Sequence, residues 1–151
     1  MLVLGYGNPG RRDDGLGPAF AEAVERLGIP GVIVDADYQL TCEDAAAVAN
    51  CQMVVFADAD SKGAEPFSFR AVEPKACMSF SSHSLDAPAV LALAKELFGA
   101  QPEAYIMGIR GYVFDEFNES LTAKARSNMT LALKFFLSLL REKSFLQTAA
   151  D

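Results

Sequence analysis

Met53-Val-Val-Phe-Ala57 is an unbroken apolar run, and Asp58 closes it. A strand buried on both faces of a parallel sheet has this continuous pattern, whereas a half-exposed strand alternates. The run is also too short for a typical helix. Residues 1–5 (Met-Leu-Val-Leu-Gly), 31–35 (Gly-Val-Ile-Val-Asp) and 104–109 are further short strands of apolar character. Residues 67–72 alternate more, which predicts an edge or antiparallel strand. Between these runs the spacing changes to that of helices. Phe20, Val24 and Leu27 fall at i, i+4 and i+7 within residues 17–27, with Pro18 suited to the first turn and Gly28 to the end. Thr41 and Asp44 resemble a capping box before a short helix reaching about Asn50. Ser84 can cap a helix carrying Leu85, Val90, Leu93, Ala94 and Leu97, which ends at Gly99. A long last helix spans about residues 121–143, with Ala125, Met129, Ala132, Phe136, Leu139 and Leu140 on one face. Tyr38, Phe98, Phe135 and Phe136 are expected in the core. Strand-helix alternation predicts an α/β fold: a single three-layer domain over residues 1–151. Its twisted, mostly parallel five-stranded sheet would carry helices on both faces. Ligands of such folds gather beyond the carboxyl ends of the strands.

Composition narrows the function. The chain has 151 residues, 51% of them hydrophobic and 22% charged, with a mean hydropathy of +0.16. These are ordinary globular values. The net charge is −7 and the pI near 4.7. Arg11-Arg12 is the only adjacent basic pair, so a nucleic-acid partner is not expected. No apolar run approaches the roughly 20 residues that span a bilayer, and the first residues lack the basic start of a signal peptide. Cys42, Cys51 and Cys77 are too far apart for a metal clip and odd in number, which fits a reducing cytoplasm.

The chemistry concentrates after the strands. The loop Gly5-Tyr-Gly-Asn-Pro-Gly-Arg-Arg-Asp-Asp-Gly-Leu-Gly17 opens with a literal G-x-G-x-x-G, the dinucleotide fingerprint. That reading fails on two counts. Pro9, Gly15, Gly17 and Pro18 postpone the helix whose bare amides a pyrophosphate needs, and Asp13 and Asp14 put carboxylates where phosphates would lie. Adjacent acids repel unless a cation or proton answers them. Asp58 is delivered to the same rim by its strand, and Asp35 and Asp37 are weaker candidates for it. His83, the only histidine, stands in Ser79-Phe-Ser-Ser-His-Ser84 before a helix. Two carboxylates and an imidazole form a three-ligand set with open positions, suited to a divalent transition metal. Cys77 with His83 is a second enzymatic option, a thiol nucleophile, but no orienting third residue is visible.

The assembled pattern resembles the hydrogenase maturation proteases, endopeptidases that trim the C-terminus of nickel-iron hydrogenase large subunits. The residues that carry the resemblance are the loop from Gly5 to Gly17, then Val55-Phe-Ala-Asp58, then Ser82-His-Ser-Leu85. Gly108-Ile109 and Glu119-Ser-Leu-Thr122 add weaker support. The resemblance implies a metal site of Asp14, Asp58 and His83, which double as the catalytic residues. It implies recognition of nickel already seated in the large-subunit precursor, with other divalent metals able to substitute. The chain departs from the family pattern at Tyr38-Gln-Leu-Thr-Cys-Glu-Asp44 and at Asn118-Glu119, which bears on precursor specificity. Two other readings compete on the same fold: a Rossmann-like nucleotide-binding module, and a non-catalytic partner in hydrogenase assembly. Asp13 is open between two roles, ligand or hydrogen-bond anchor of the loop.

Overall fold

The computed structural model describes residues 1–76 and 85–143. The strands are β1 (Leu2–Tyr6), β2 (Ile33–Asp37), β3 (Met53–Asp60), β4 (Phe67–Ala71) and β5 (Glu103–Arg110). The helices are α1 (Leu16–Arg26), α2 (Asp44–Ala49), α3 (Ala87–Phe98) and α4 (Ala123–Glu142), and a 3₁₀ turn at Arg12–Gly15 precedes α1. They form one five-stranded sheet in the order β2-β1-β3-β5-β4. The β1–β2, β1–β3 and β3–β5 pairs are parallel. Only β4 runs antiparallel, on β5, as its alternating sequence predicts.

Alternation along each strand sorts the apolar residues into two cores. Val3, Val55, Ala57, Met107 and Ile109 face α1 and α4, where Phe20 meets Phe136 edge to face at 5.6 Å. Leu2, Leu4, Val54 and Phe56 face α2 and α3. The central strand β3 serves both cores, and for that reason its apolar run has no polar interruption. It also runs further than its sequence predicts. Asp58, Ala59 and Asp60 stay paired with Gly108, Ile109 and Arg110 on β5, so the acidic end remains inside the ladder.

Four expectations need correction. Strand β2 starts at Ile33 and lies at a sheet edge, so Ile33 is 67% exposed despite its apolar neighbours. Helix α3 starts at Ala87, and Asp86 caps it by accepting the Ala89 N–H at 3.0 Å. Ser84, the expected cap, lies outside the described residues. Of the four aromatic residues expected in the core only Phe136 is buried. Tyr38 and Phe98 project outward, and Phe135 lies partly exposed against Phe67 and Phe69. At Thr41 one half of the capping box forms: the Asp44 carboxylate accepts the Thr41 N–H at 2.8 Å.

Candidate functional site

The chain must leave β1, turn, and return as α1 against the same strand. Two glycines make that approach possible. Gly7 sits at φ 142°, and a Cβ there would lie 2.1 Å from the Asp14 carbonyl oxygen. A Cβ on Gly17 would lie 2.4 Å from the Tyr6 oxygen and 2.5 Å from that of Ala57. Helix α1 therefore starts in backbone contact with β1 and β3, and the 3₁₀ turn is pressed against the strand ends.

Within that turn the two aspartates diverge. Asp13 is fully buried. Its carboxylate accepts N–H groups of Tyr112 (2.8 Å), Val113 (3.1 Å) and Thr122 (2.8 Å) and the Thr122 hydroxyl (2.8 Å). Burial alone would raise its pKa, but these bonds outweigh it and hold the carboxyl below the usual range. Asp13 is thus the anchor that ties the loop to residues 112–122. Arg12, held at φ 50°, supports the same tie: its N–H donates to the Asn118 carbonyl at 2.8 Å. Asp14 is half-buried and accepts only the Asn8 N–H, at 2.9 Å, among the described residues. It remains available to a ligand.

Asp58 stands near the carboxyl end of β3, which closes at Asp60. Burial pushes its pKa up to about 7, and the charges of Asp14 and Asp60 push in the same direction. The Ala59 N–H and the Tyr6 hydroxyl, both bonded to it, offset part of the rise. Tyr6 at the end of β1 is raised in turn, mainly by burial and then by Asp58 and Asp86. A carboxyl that titrates near neutrality can either take or give a proton. The space in front of it has a volume of about 380 Å³, and its lining includes Tyr6, Asp58, Asp60, Arg70 and Asp86.

The structure thus brings Asp14 and Asp58 into one electrostatic neighbourhood at the carboxyl rim. His83 and Cys77 lie outside the described residues, so neither the three-ligand set nor the thiol option is visible. Among the described residues no trio of His, Cys, Asp or Glu is spaced to hold a metal. Asp35 and Asp37 are exposed on the edge strand. Each accepts the next backbone N–H, that of Ala36 at 2.9 Å and that of Tyr38 at 2.7 Å. The dinucleotide reading gains nothing. Asp13 and Asp14 precede α1, the Asn8 N–H is engaged by Asp14, and the Gly10 N–H donates to the Asn8 side chain at 2.9 Å.

Sequence reasoning missed Tyr6, Asp60, Arg70 and Asp86. Tyr6 had a legible signal, a polar side chain between two glycines at a strand end. Asp60 follows Asp58 by one strand period and was legible too. Arg70 and Asp86 come from distant segments, Arg70 brought to this rim by the sheet order and Asp86 by the start of α3.

No family model matches the chain, and no curated protein matches it. Solved structures do. The [NiFe] hydrogenase maturation protease HycI from Thermococcus kodakarensis superposes with a TM-score of 0.71 at 23% identity, over 93% of this chain and 91% of that one. The hydrogenase maturating endopeptidase HybD from E. coli gives 0.69 at 23%, over 94% and 92%. A hydrogenase 2 maturation peptidase from a Thaumarchaeota archaeon gives 0.68 at 21%, over 92% and 96%. The chain shares their α/β fold over the superposed residues.

Proposed function

We propose that this protein is a cytoplasmic endopeptidase that removes a C-terminal extension from the large-subunit precursor of a nickel-iron hydrogenase. The observation that carries the reading is the pairing of Asp14 with Asp58 at the carboxyl rim of a fold shared with hydrogenase maturation proteases. Asp14, Asp58 and His83 are the residues assigned to the site. The described part of the set fits a cation. Burial is the main cause of the raised pKa of Asp58, Asp14 and Asp60 add repulsion to it, and a divalent ion would relieve that repulsion.

In this reading nickel arrives as cargo of the precursor, and Asp14, Asp58 and His83 take up coordination positions that the precursor leaves open. Other divalent metals can replace it. Once bound it polarises oxygen ligands and aligns the precursor. The protein's own residues do the rest. Asp14 is held by the Asn8 N–H toward the rim. Asp58, ionised once the ion lies beside it, accepts the proton of the attacking water on its free oxygen and returns it to the leaving nitrogen. Docking places the scissile bond against these groups, an orientation effect that can lower a barrier by several kcal/mol, about 7–11 in the best intramolecular cases.

The test is incubation of the full chain with nickel-loaded and nickel-free precursor, read by mass spectrometry. One cut near the C-terminus of the loaded form alone is expected, abolished by Asp14→Asn or His83→Ala. Equal cleavage of the nickel-free form removes the nickel requirement but keeps the peptidase. Binding without cleavage in either form makes the chain an assembly partner instead.

A further inference from the structure

Among the described residues, the cavity beside Asp58 has three carboxylates in its lining, those of Asp58, Asp60 and Asp86, and a single cation, Arg70. The sheet register explains how Arg70 gets there. Ser68 of β4 pairs with Gly108 of β5, which pairs with Asp58 of β3. Arg70 pairs with Ile106, which pairs with Phe56. Side chains alternate along a strand. Phe67 and Phe69 face α4, where both meet Phe135, so Ser68 and Arg70 belong to the opposite face, that of Phe56 and Asp58. Gly108 keeps the space between open. A Cβ there would sit 3.0 Å from the Ser68 hydroxyl and 3.4 Å from an Asp60 carboxylate oxygen. Among the described residues Arg70 forms no ion pair. An always-charged, forked donor facing an acid-lined space, across from the group assigned to move a proton, suits a ligand oxygen that carries or gains negative charge.

We infer that Arg70 is a catalytic residue of the proposed cleavage, donating hydrogen bonds to the carbonyl oxygen of the scissile peptide and to the carboxylate that replaces it. The inference rests on the endopeptidase reading. When the water oxygen bonds to the carbonyl carbon, the π pair moves onto the carbonyl oxygen, which becomes anionic. That pair returns as the C–N bond breaks. The nitrogen leaves as an amine with the first proton the water gave up, and the acid left on the carbon side passes the remaining proton to that amine, giving a carboxylate and an ammonium. Arg70 holds the oxygen more strongly once it is charged, and that difference is what accelerates the reaction. A cation that merely balanced Asp58 and Asp86 would affect stability without responding to the substrate oxygen.

Arg70→Ala and Arg70→Lys are compared with wild type on nickel-loaded precursor, with and without millimolar methylguanidinium. Expected is a loss of about 100-fold in kcat for the alanine variant with KM within twofold, in line with removal of one donor to a developing oxyanion. The lysine variant should fall between, and methylguanidinium should restore part of the alanine variant's kcat. A wild-type kcat in Arg70→Ala, a loss confined to KM, or no response to methylguanidinium overturns the inference while leaving the peptidase standing. If wild type itself cleaves nothing, the endopeptidase reading fails instead. A second measurement needs no turnover. By calorimetry the product-side peptide with a free terminal carboxylate should bind wild type at least tenfold more tightly than its amide, and Arg70→Ala should abolish the difference. Equal affinities in wild type overturn the inference.

Discussion

Asp13 and Asp14 are adjacent, chemically identical and placed in opposite surroundings, so substitution should separate them. Asp13 satisfies three backbone N–H groups and a hydroxyl inside the protein. An asparagine there loses the charge and presents an NH₂ to donors. Bonds to charged groups contribute about 1.5–3 kcal/mol each, so Asp13→Asn should cost about 3 kcal/mol in chemical denaturation. Asp14→Asn should stay within about 0.5 kcal/mol of wild type, as expected of a site away from such anchors. A stable Asp13→Asn variant would remove the anchor role. Their pH effects also differ from that of Asp58. The depressed pKa of Asp13 stabilises the fold above the unfolded carboxyl range, and this is lost as pH falls through its folded value. Asp58 has the opposite sign. Its folded pKa near 7 exceeds the unfolded value of about 4, so it costs stability increasingly as pH rises between the two. Asp58→Asn should therefore be more stable than wild type at pH 8, by on the order of 2–4 kcal/mol. At pH 4 the gap should close. Thermal unfolding across that range checks it; a gap that widens toward acid would contradict the raised pKa.

At the scale of elements the decisive contact is α1 against β1 and β3. Gly17 allows it, because the carbonyl oxygens of Tyr6 and Ala57 occupy the place a side chain would take. Gly17→Ala should push the helix start outward by a fraction of an ångström and cost about 1–3 kcal/mol, the usual price of forcing atoms into a packed interior. Because Asp14 lies in the 3₁₀ turn that leads into that helix, affinity for a metal at the proposed site should fall with stability. Nickel or surrogate-metal titration beside denaturation would register both, and an unchanged Gly17→Ala variant would show that the turn can give. The strand calls for the same attention to neighbours. The apolar runs of β1 and β3 are buried as read, whereas the similar run in β2 faces solvent along one edge. Apolar sequence marks a strand, but its exposure depends on how many strands flank it.

The whole molecule offers two cores, one on each side of the sheet, and a rim where Tyr6, Asp14, Asp58 and Asp60 meet. The described helices include none long and apolar enough to cross a membrane. In the proposed endopeptidase reading, cleavage depends on docking of the substrate to orient the scissile bond. Casein and short unstructured peptides should therefore remain uncut after prolonged incubation with the full chain, as seen by gel electrophoresis or mass spectrometry. General proteolysis would contradict a docking-dependent specificity.

Periodicity and punctuation in the sequence determined the α/β class, five strands, the antiparallel character of β4 and the loop carrying the paired acids. Those features are local. A continuous apolar run, a helical stripe or a glycine beside a proline restricts the backbone wherever it occurs. The role of Asp13 was left open by the sequence, because it and Asp14 are the same residue one step apart. It was decided by donors about 100 residues further along the chain at Tyr112, Val113 and Thr122. The titration of Asp58 near 7 and the arrival of Arg70 at its cavity were likewise decided by strand order and register, and that of Asp86 by the packing of α3. Burial and charge act through space, and a one-dimensional pattern does not contain those distances.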